Sequence, residues 1–303
     1  MLNFTIVKIN ITSNLVGRFI YQNPNLFQKG LLMIKIEETE IYGWKAAIRG
    51  MRNPMNSWDK SDSDYRYILC AKCDDCKSFK NEQWEDCDNC SVSKMCDSNK
   101  GFMVGPNDSE LMHRLCAAGT DHRKFMRMIV VYCDITAPLY WWKEFDTYKV
   151  GTVSNSCSTM HKIHAKEFTL DDFSHEHLDS LIEVYMPQRL PLIDDEDRPM
   201  WDIRTTDVMD VIISALNGCR ERYLETKDKR YWWQMIQLLP SSYNQKRTVM
   251  LNYEVLTNMY NSRKHHKLDE WHDFCYWIKG LPNSELITKQ TDIEDCVGKV
   301  YQI

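Results

Sequence analysis

The chain has 303 residues, of which 43% are hydrophobic and 27% are charged, and its formal net charge is -5. These values are ordinary for a globular protein, and the negative balance gives no general attraction to nucleic acid or to an anionic membrane. No apolar run approaches the roughly 20 residues of a membrane span, and the first residues lack the pattern of a signal peptide, so we expect a cytoplasmic protein without a membrane partner.

The first sixty residues mix strand and helix patterns. Apolar and polar side chains alternate in residues 1–10, and residues 31–38 form a second strand candidate, so we predict two strands. A helix is predicted next, because apolar residues return every three or four positions before Asn53-Pro54: Ile41, Trp44, Ile48 and Met51.

Residues 66–100 form a polar segment rich in cysteine, which we interpret as an insert in a single domain of residues 1–303. In a chain without a secretion signal, cysteines favour thiols and metal sites over disulfides. Two C-x-x-C pairs have the spacing of a four-thiolate zinc site, and metal binding can supply folding energy that this segment lacks. These pairs are Cys73 with Cys76 and Cys87 with Cys90. A register beginning at Cys70 and Cys73, an iron–sulfur cluster and a metal-free loop remain open.

From residue 105 onward the pattern is regular, and we predict an α+β protein with an antiparallel or mixed sheet and a helix-rich C-terminal half. Asp108 is predicted to cap a helix that ends at Gly119. A half-buried strand with Met126, Met128, Val130 and Tyr132 on one face comes next, and Pro138 then starts a helix. Further helices are predicted over 170–187, 205–226, 229–238, 246–264 and 267–279.

Residues 134–162, DITAPLYWWKEFDTYKVGTVSNSCSTMHK, resemble the signature segment of flavin-dependent thymidylate synthases. In that family a strand enters an Ala-Pro helix, which leads into Arg-His-Arg and then a loop with polar and charged residues. Ala137-Pro138 matches the start of the helix. The polar positions of the loop are matched, within one residue of register, by Thr152, Asn155 and Ser158.

A second segment, residues 238–278, resembles another part of the same family. The family has a Leu-Pro, then an asparagine-rich helix ending in Leu-Arg, then an Ala-Gln-Trp-Glu helix. The matching residues occur in the same order, with one extra residue before the tryptophan: Leu239-Pro240, Asn252, Asn258, Arg263 and Trp271. In that family the asparagines contact flavin, and the arginine lies beside the pyrimidine of dUMP.

The chain departs from the family pattern at charged positions. Arg-His-Arg is replaced by Thr147, Tyr148 and Lys149, which removes two cations that face flavin and nucleotide. Lysine does not reproduce the planar, bidentate contacts of arginine, so Lys149 is an imperfect replacement. Three further charged positions of the family are occupied here by Ser156, Met160 and Glu254.

The resemblance implies a flavin-dependent thymidylate synthase-like fold and the conversion of dUMP to dTMP. FAD would be the cofactor, NADPH and methylenetetrahydrofolate the co-substrates, and the assembly a homotetramer with sites between subunits. Arg263 and Ser158 would act in catalysis, and both would bind the nucleotide together with Lys149. The residues that would contact the flavin are Asn252, Asn258 and Tyr148.

One helix over 246–264 would place Asn252, Leu256, Met259 and Arg263 on a shared face, with Asn258 away from it, which fits sites at an oligomer interface. Two other functions remain open: a catalytically altered nucleotide- or flavin-binding protein on the same scaffold, and a zinc-stabilised interaction protein. The Trp141-Trp142 and Trp232-Trp233 pairs are predicted to be core or interface anchors. The histidines at 161, 164, 175 and 177 are interpreted as surface or structural residues.

Overall fold

The computed structural model describes residues 33–67, 100–185 and 202–288. Those residues fall into two compact units, one containing 40–67 and 100–131 and the other containing 33–39, 132–185 and 202–288. The strand predicted over residues 1–10 lies outside the described residues, and so do the cysteines of the insert: Cys70, Cys73, Cys76, Cys87, Cys90 and Cys96.

Strands and helices both contribute to the described chain. The strands are β1 (Lys35–Tyr42), β2 (Asp64–Tyr67), β3 (Lys100–Met103), β4 (Val130–Pro138), β5 (Val153–Ser156), β6 (Glu183–Tyr185), β7 (Asp202–Arg204) and β8 (Asn244–Asn252). The helices are α1 (Trp44–Arg52), α2 (Pro106–Ala117), α3 (Leu139–Phe145), α4 (Thr205–Thr226), α5 (Lys229–Leu238), α6 (Tyr253–Arg263), α7 (Asp269–Lys279) and α8 (Glu285–Thr288).

The main sheet has four strands in the order β1-β4-β8-β5, and β5 runs antiparallel to β8. Two antiparallel ribbons, β2–β3 and β6–β7, lie outside it. The α+β class with an antiparallel sheet is therefore confirmed. Among the described helices, none combines the length and apolarity that crossing a membrane requires.

The central strand β4 shows how a strand face can be misread from sequence. Its buried residues are Val131, Cys133, Ile135 and Ala137, whereas Tyr132 is exposed. The predicted face is wrong, because Arg123–Met128 form a 3₁₀ helix and the strand begins only at Val130. Both alternating sets are largely apolar here, and a shift of one residue exchanges the two faces of a strand.

One of the helices predicted from sequence is absent from the described chain, and another is helical only in its second part. Residues 246–264 are divided between strand β8 and helix α6, and the junction lies at Asn252. In β8 the buried side chains alternate, which is the period of a strand with one buried face, and β8 pairs with β4 and β5. Residues 170–187 contain a short 3₁₀ helix, an isolated bridge from Phe173 to Tyr243 and strand β6. The helices predicted over 205–226 and 229–238 are confirmed.

An aromatic cluster forms the core of the second unit beneath α3. Trp141 is fully buried, and its ring centre lies 4.9 Å from that of Trp142 and 4.7 Å from that of Trp271. Rings at such separations and tilts gain more than their buried area alone provides. The prediction that Trp141 and Trp142 are core residues is confirmed, whereas Trp233 is 42% exposed.

In the first unit, helix α2 is capped from a distant part of the chain. Asp108 is not the cap, because the helix begins at Pro106 after Gly105. The carboxylate of Asp62 instead accepts hydrogen bonds from the backbone N–H groups of Asn107 at 2.9 Å and Asp108 at 3.1 Å. A carboxylate at this end of a helix satisfies unpaired donors and matches the helix dipole.

Asp108 is fully buried and forms an ion pair inside the first unit. Its carboxylate accepts hydrogen bonds from Arg52 Nε at 2.6 Å, Ser61 Oγ at 2.8 Å and Ser63 Oγ at 2.6 Å. Burial by itself would raise the pKa of Asp108, but the hydrogen bonds from Ser63, Ser61 and Arg52 outweigh burial and hold the pKa below its usual range. The ionised form is therefore the native form.

Replacing Asp108 with asparagine should leave Arg52 buried without its counterion. We expect D108N to lower the free energy of unfolding by about 3–5 kcal/mol. Because the native pKa is depressed, the carboxylate stabilises the fold above the ordinary carboxyl pKa, and this contribution is lost as the pH falls through the native value.

Urea denaturation at a series of pH values from roughly 7 to 3 measures this effect. The wild type should lose more stability than D108N over that interval. The exposed Asp121 provides the control, because D121N should behave as the wild type. An identical pH dependence for wild type and D108N would contradict the assignment.

Candidate functional site

Arg263, at the C-terminal end of α6, contacts two aromatic side chains. Its Nε donates a hydrogen bond to the Tyr148 hydroxyl at 2.9 Å. The guanidinium carbon lies 4.7 Å from the ring centre of Trp271 and 5.5 Å from that of Tyr148. Both distances are within the range of cation–π attraction. With 16% of its side chain exposed, Arg263 is oriented but still reaches the surface.

One carboxylate oxygen joins this arginine to three structural elements. Glu144 Oε2 accepts hydrogen bonds from Arg263 Nη1 at 2.6 Å and Trp271 Nε1 at 3.0 Å, and His266 Nε2 lies 3.2 Å away. Glu144 is on α3, where its neighbours Phe145 and Trp142 are buried. We call Glu144, Tyr148, Arg263, His266 and Trp271 the Arg263 cluster.

The hydrogen bonds of His266 define its tautomer. Its Nδ1 accepts a hydrogen bond from the backbone N–H of Leu268 at 3.2 Å, so that nitrogen carries no hydrogen. The hydrogen is then on Nε2, which points to Glu144. His266 Nε2 is therefore directed at the carboxylate, and the same ring supports the start of α7, where Leu268 is the N-cap.

The loop between α3 and β5 is attached to the rest of the site at three points. Asp146 pairs with Arg247 at 2.7 Å, and the Tyr148 hydroxyl binds Arg263. Gly151 has a φ of 82°, and a Cβ at this position would lie 2.6 Å from Nδ2 of Asn252. The positive φ and the close approach both require glycine.

Arg247 is a second arginine beside α3 that the sequence analysis missed. Its guanidinium carbon lies 4.1 Å from the ring centre of Trp142, and its Nε donates to Gln245 Oε1 at 2.9 Å. The predicted helix over 246–264 concealed this placement. A strand assignment for residues 244–252 would have shown that Arg247 is on β8, where it pairs with Ser156 of β5.

Asn252 and Asn258 do not share a helix in the predicted way. Asn252 is the last residue of β8, and its Oδ1 accepts a hydrogen bond from the backbone N–H of Val255 at 2.9 Å, which caps α6. Leu256 and Met259 face the core and are fully buried, whereas Asn258 is exposed. The predicted shared face that begins at Asn252 is therefore wrong.

Ser158 and Lys149 are exposed, and neither contacts Arg263 in the described part of the chain. Ser158 Oγ accepts a hydrogen bond from the backbone N–H of His161 at 2.9 Å, which supports a turn. The segment predicted as a polar loop contains the edge strand β5, in which Asn155 is paired with Thr248.

The three residues predicted to contact flavin make different contacts within the described chain. Tyr148 belongs to the Arg263 cluster, Asn252 caps α6, and Asn258 is exposed on another side of that helix. Among the residues that the structure describes, no group of three histidine, cysteine or acidic side chains is arranged to hold a metal ion. The predicted zinc ligands Cys73, Cys76, Cys87 and Cys90 are outside those residues.

Comparison with known proteins gives structural neighbours only. No protein-family model matches the chain, and neither does any curated protein sequence. Among solved structures, the flavin-dependent thymidylate synthase ThyX from Helicobacter pylori, complexed with FAD and dUMP, is similar. One of its structures has 14% identity and a TM-score of 0.47 and covers 82% of this chain and 94% of that one. Another has 14% identity and a TM-score of 0.49, with coverages of 89% and 100%.

A third neighbour is the UMP/dUMP methylase PolB from Streptomyces cacaoi bound with 5-Br UMP. It has 14% identity and a TM-score of 0.38, and the match covers 68% of this chain and 87% of that one. The synthases come from the family that the two sequence segments resemble.

The contact between Gly151 and Asn252 can be tested by adding a methyl group. We expect G151A to lower the free energy of unfolding by about 1–3 kcal/mol, because alanine is strained at this φ and its Cβ would displace Asn252. Gly218 is the matched control, since it lies inside α4 with open space around its Cβ.

G218A should raise the free energy of unfolding by about 0.4–1 kcal/mol, as expected for alanine in a helix interior. Chemical denaturation of both variants gives the two changes. Equal effects of G151A and G218A would show that the loop does not require glycine at position 151.

Proposed function

We propose that this chain catalyses the flavin-dependent methylation of a pyrimidine nucleotide, with dUMP converted to dTMP. One observation carries the proposal. Arg263 belongs to one segment that resembles flavin-dependent thymidylate synthases and Tyr148 belongs to the other, and the two side chains share a hydrogen bond of 2.9 Å across 115 positions of sequence.

The Arg263 cluster has the properties that stabilising charge on a pyrimidine ring requires. Arg263 is a permanent cation, and its orientation is set by Tyr148, Trp271 and Glu144 before any ligand binds. A preorganised donor next to the developing charge lowers the barrier without a cost of reorganisation. In this proposal Arg263 stabilises negative charge on the ring, while Ser158 and Lys149 bind the nucleotide at its phosphate.

FAD as the cofactor, with NADPH and methylenetetrahydrofolate as co-substrates, belongs to the same proposal. Asn252 caps α6 and Asn258 is exposed on that helix, and the proposal includes a homotetramer in which neighbouring copies complete each flavin site. Tyr148 contributes to that site through its ring, because its hydroxyl is engaged by Arg263.

A second candidate is a protein that binds the nucleotide or flavin without turnover. It is favoured by the pairing of Arg263, whose positive charge is already balanced by Glu144 at 2.6 Å. It is also favoured by Thr147, which carries no charge, and by the exposed Lys149, both of which occupy the place of the family's Arg-His-Arg.

Substitution of Arg263 with lysine tests the proposed role. Lysine keeps the charge but lacks the planar fork, so we expect R263K to lower the rate of dTMP formation by about 100-fold or more. Arg222 is the matched control, because it also pairs with a glutamate, at 3.5 Å, but on the exposed surface of α4. R222K should retain wild-type activity.

The visible absorption spectrum of the purified protein, before and after addition of FAD, should accompany this assay. A flavin spectrum together with dTMP formation that depends on Arg263 is the expected result. A protein that binds FAD or dUMP but forms no dTMP is the second candidate. A protein that takes up neither FAD nor dUMP contradicts both.

The proposal also includes a structural zinc ion bound by Cys73, Cys76, Cys87 and Cys90. The interpretation of residues 68–99 as an insert is supported by the flanking ribbon, where Tyr67 of β2 pairs directly with Lys100 of β3. The segment therefore begins and ends at neighbouring positions, as an insert does.

Elemental analysis should find about one zinc ion per chain, and C73S or C90S should lose it, because each removes one of four thiolates. The exposed Cys157 is the control, and C157S should keep the metal. Zinc well below one per wild-type chain would contradict the site.

A further inference from the structure

Helix α1 of the first unit presents two exposed cations on one face. Lys45 and Arg49 are four positions apart, so they are neighbours on the helix surface. Neither forms an ion pair with a carboxylate of the described residues. Like charges at this spacing repel each other, and Lys45 lies in the first turn, where the helix dipole favours negative charge. The pair therefore does not stabilise α1, which points to a role in binding an anion.

The 3₁₀ helix Arg123–Met128 adds a second pair of exposed cations. Such a helix has three residues per turn, so Lys124 and Arg127 project from the same side. These two cations also lack a carboxylate partner among the residues that the structure describes. The 3₁₀ helix packs against α1, because a Cβ added at Gly50 would lie only 3.0 Å from Sδ of Met128. Two pairs of exposed cations therefore lie on two elements in direct contact.

An exposed tryptophan follows the C-terminal end of α1. The side chain of Trp58 is 52% exposed, and its Nε1 donates a hydrogen bond to Oδ1 of Asn53 at 2.8 Å. Asn53 is the C-cap of α1 and comes four positions after Arg49, so it continues the face that carries the cations. Because the indole N–H is satisfied within the chain, the ring offers its apolar surface to a partner.

Unpaired cations together with an oriented aromatic ring match a flexible chain of phosphates and free bases. Lysine and arginine attract phosphates whatever the sequence, and an exposed aromatic ring binds any unpaired base by stacking. In duplex nucleic acid the bases stack on each other, and an anionic membrane has no bases. The net charge of -5 does not oppose a local site, because salt screens exposed charges beyond about 8 Å.

We propose that α1, the 3₁₀ helix and Trp58 form a binding site for single-stranded nucleic acid. The basic face consists of Lys45, Arg49, Trp58, Lys124 and Arg127. Its four cations bind phosphates along the strand, and Trp58 stacks on an unpaired base. A flexible strand can pass from one element to the next, so the two pairs of cations need not touch. This function goes beyond nucleotide methylation, because the basic face lies in the first unit and the Arg263 cluster in the second.

Fluorescence anisotropy with labelled oligonucleotides and the full chain tests the proposal. Probes of about 20 thymidine or uridine nucleotides exceed a single-strand site of about 4–16 nucleotides. The wild type should bind with a dissociation constant of about 1–100 µM near 0.15 M salt, the range of sequence-independent binding. Excess dUMP should not displace the probe, because the proposed nucleotide site is a different one.

The variant K45Q/R49Q/K124Q/R127Q removes the four cations of the basic face. Each lost phosphate contact reduces the slope of log affinity against log salt by about 0.7, so the slope should become shallower by about 3. The affinity near 0.15 M salt should fall at least about tenfold. Urea denaturation should show a fold no less stable than the wild type, because the repulsion within α1 is removed.

A matched variant in the second unit controls for the loss of overall charge. K162Q/R222Q/R230Q/K279Q also removes two lysines and two arginines at exposed positions. It should keep the affinity and the salt slope of the wild type. An equal loss in both variants would attribute binding to overall charge and overturn the proposal.

Substitutions of Trp58 test the stacking contact. W58A should weaken binding about tenfold or more, because stacking on one base contributes that much in single-strand sites. W58F keeps an aromatic ring and should retain most of the affinity. Y276A is the control, since Tyr276 is equally exposed, at 53%, in the second unit.

The remaining outcomes decide whether the ligand is single-stranded nucleic acid. Tighter binding of either the uridine or the thymidine probe supports the proposal and identifies RNA or DNA. A wild type that binds neither probe overturns it, and so does an unchanged salt slope in the variant of the basic face. Binding to phosphatidylserine vesicles but not to the probes would assign the surface to a membrane instead. Equal binding of a duplex, with no effect of W58A, also overturns the proposal.

Discussion

A single carboxylate oxygen, Oε2 of Glu144, is the point on which the candidate site depends. It accepts hydrogen bonds from Arg263 and Trp271 and faces the Nε2–H of His266, so it connects α3 with α6, the following turn and α7. Removing a buried or half-buried acceptor that serves several donors leaves each donor without that hydrogen-bond partner. The orientation of Arg263 is therefore a property of α3 as much as of its own helix.

The aromatic core beneath α3 makes this arrangement rigid. Trp141 packs against Trp271, and the guanidinium of Arg263 lies over the ring of Trp271. A fully buried ring cannot shift without opening a cavity, so the cation above Trp271 is supported by the core itself. Arg247 above Trp142 repeats the same combination of arginine and tryptophan.

Local sequence patterns predicted some elements correctly and others wrongly, depending on whether an element is stabilised by nearby or by distant residues. Helices α4 and α5 carry their own period and caps, and both were predicted. The segment that contains the β8–α6 junction was predicted as one helix. A strand is stabilised by partners that are distant in sequence, here β4 and β5, and a local pattern does not reveal them. Because of that error, the position of Arg247 on β8 was missed. Asn252 was placed on the same helix face as Arg263, whereas it caps α6.

The sequence by itself determined the α+β class, the aromatic core residues and the two segments that supply Arg263 and Tyr148, because these depend on residue type, spacing and order. Only the tertiary structure decided that Glu144 is the partner of Arg263, that His266 Nδ1 accepts the backbone N–H of Leu268 and that Asn252 caps α6. Those facts depend on which surfaces meet when distant segments pack. A hydrogen bond between residues more than a hundred positions apart produces no periodic pattern in the sequence.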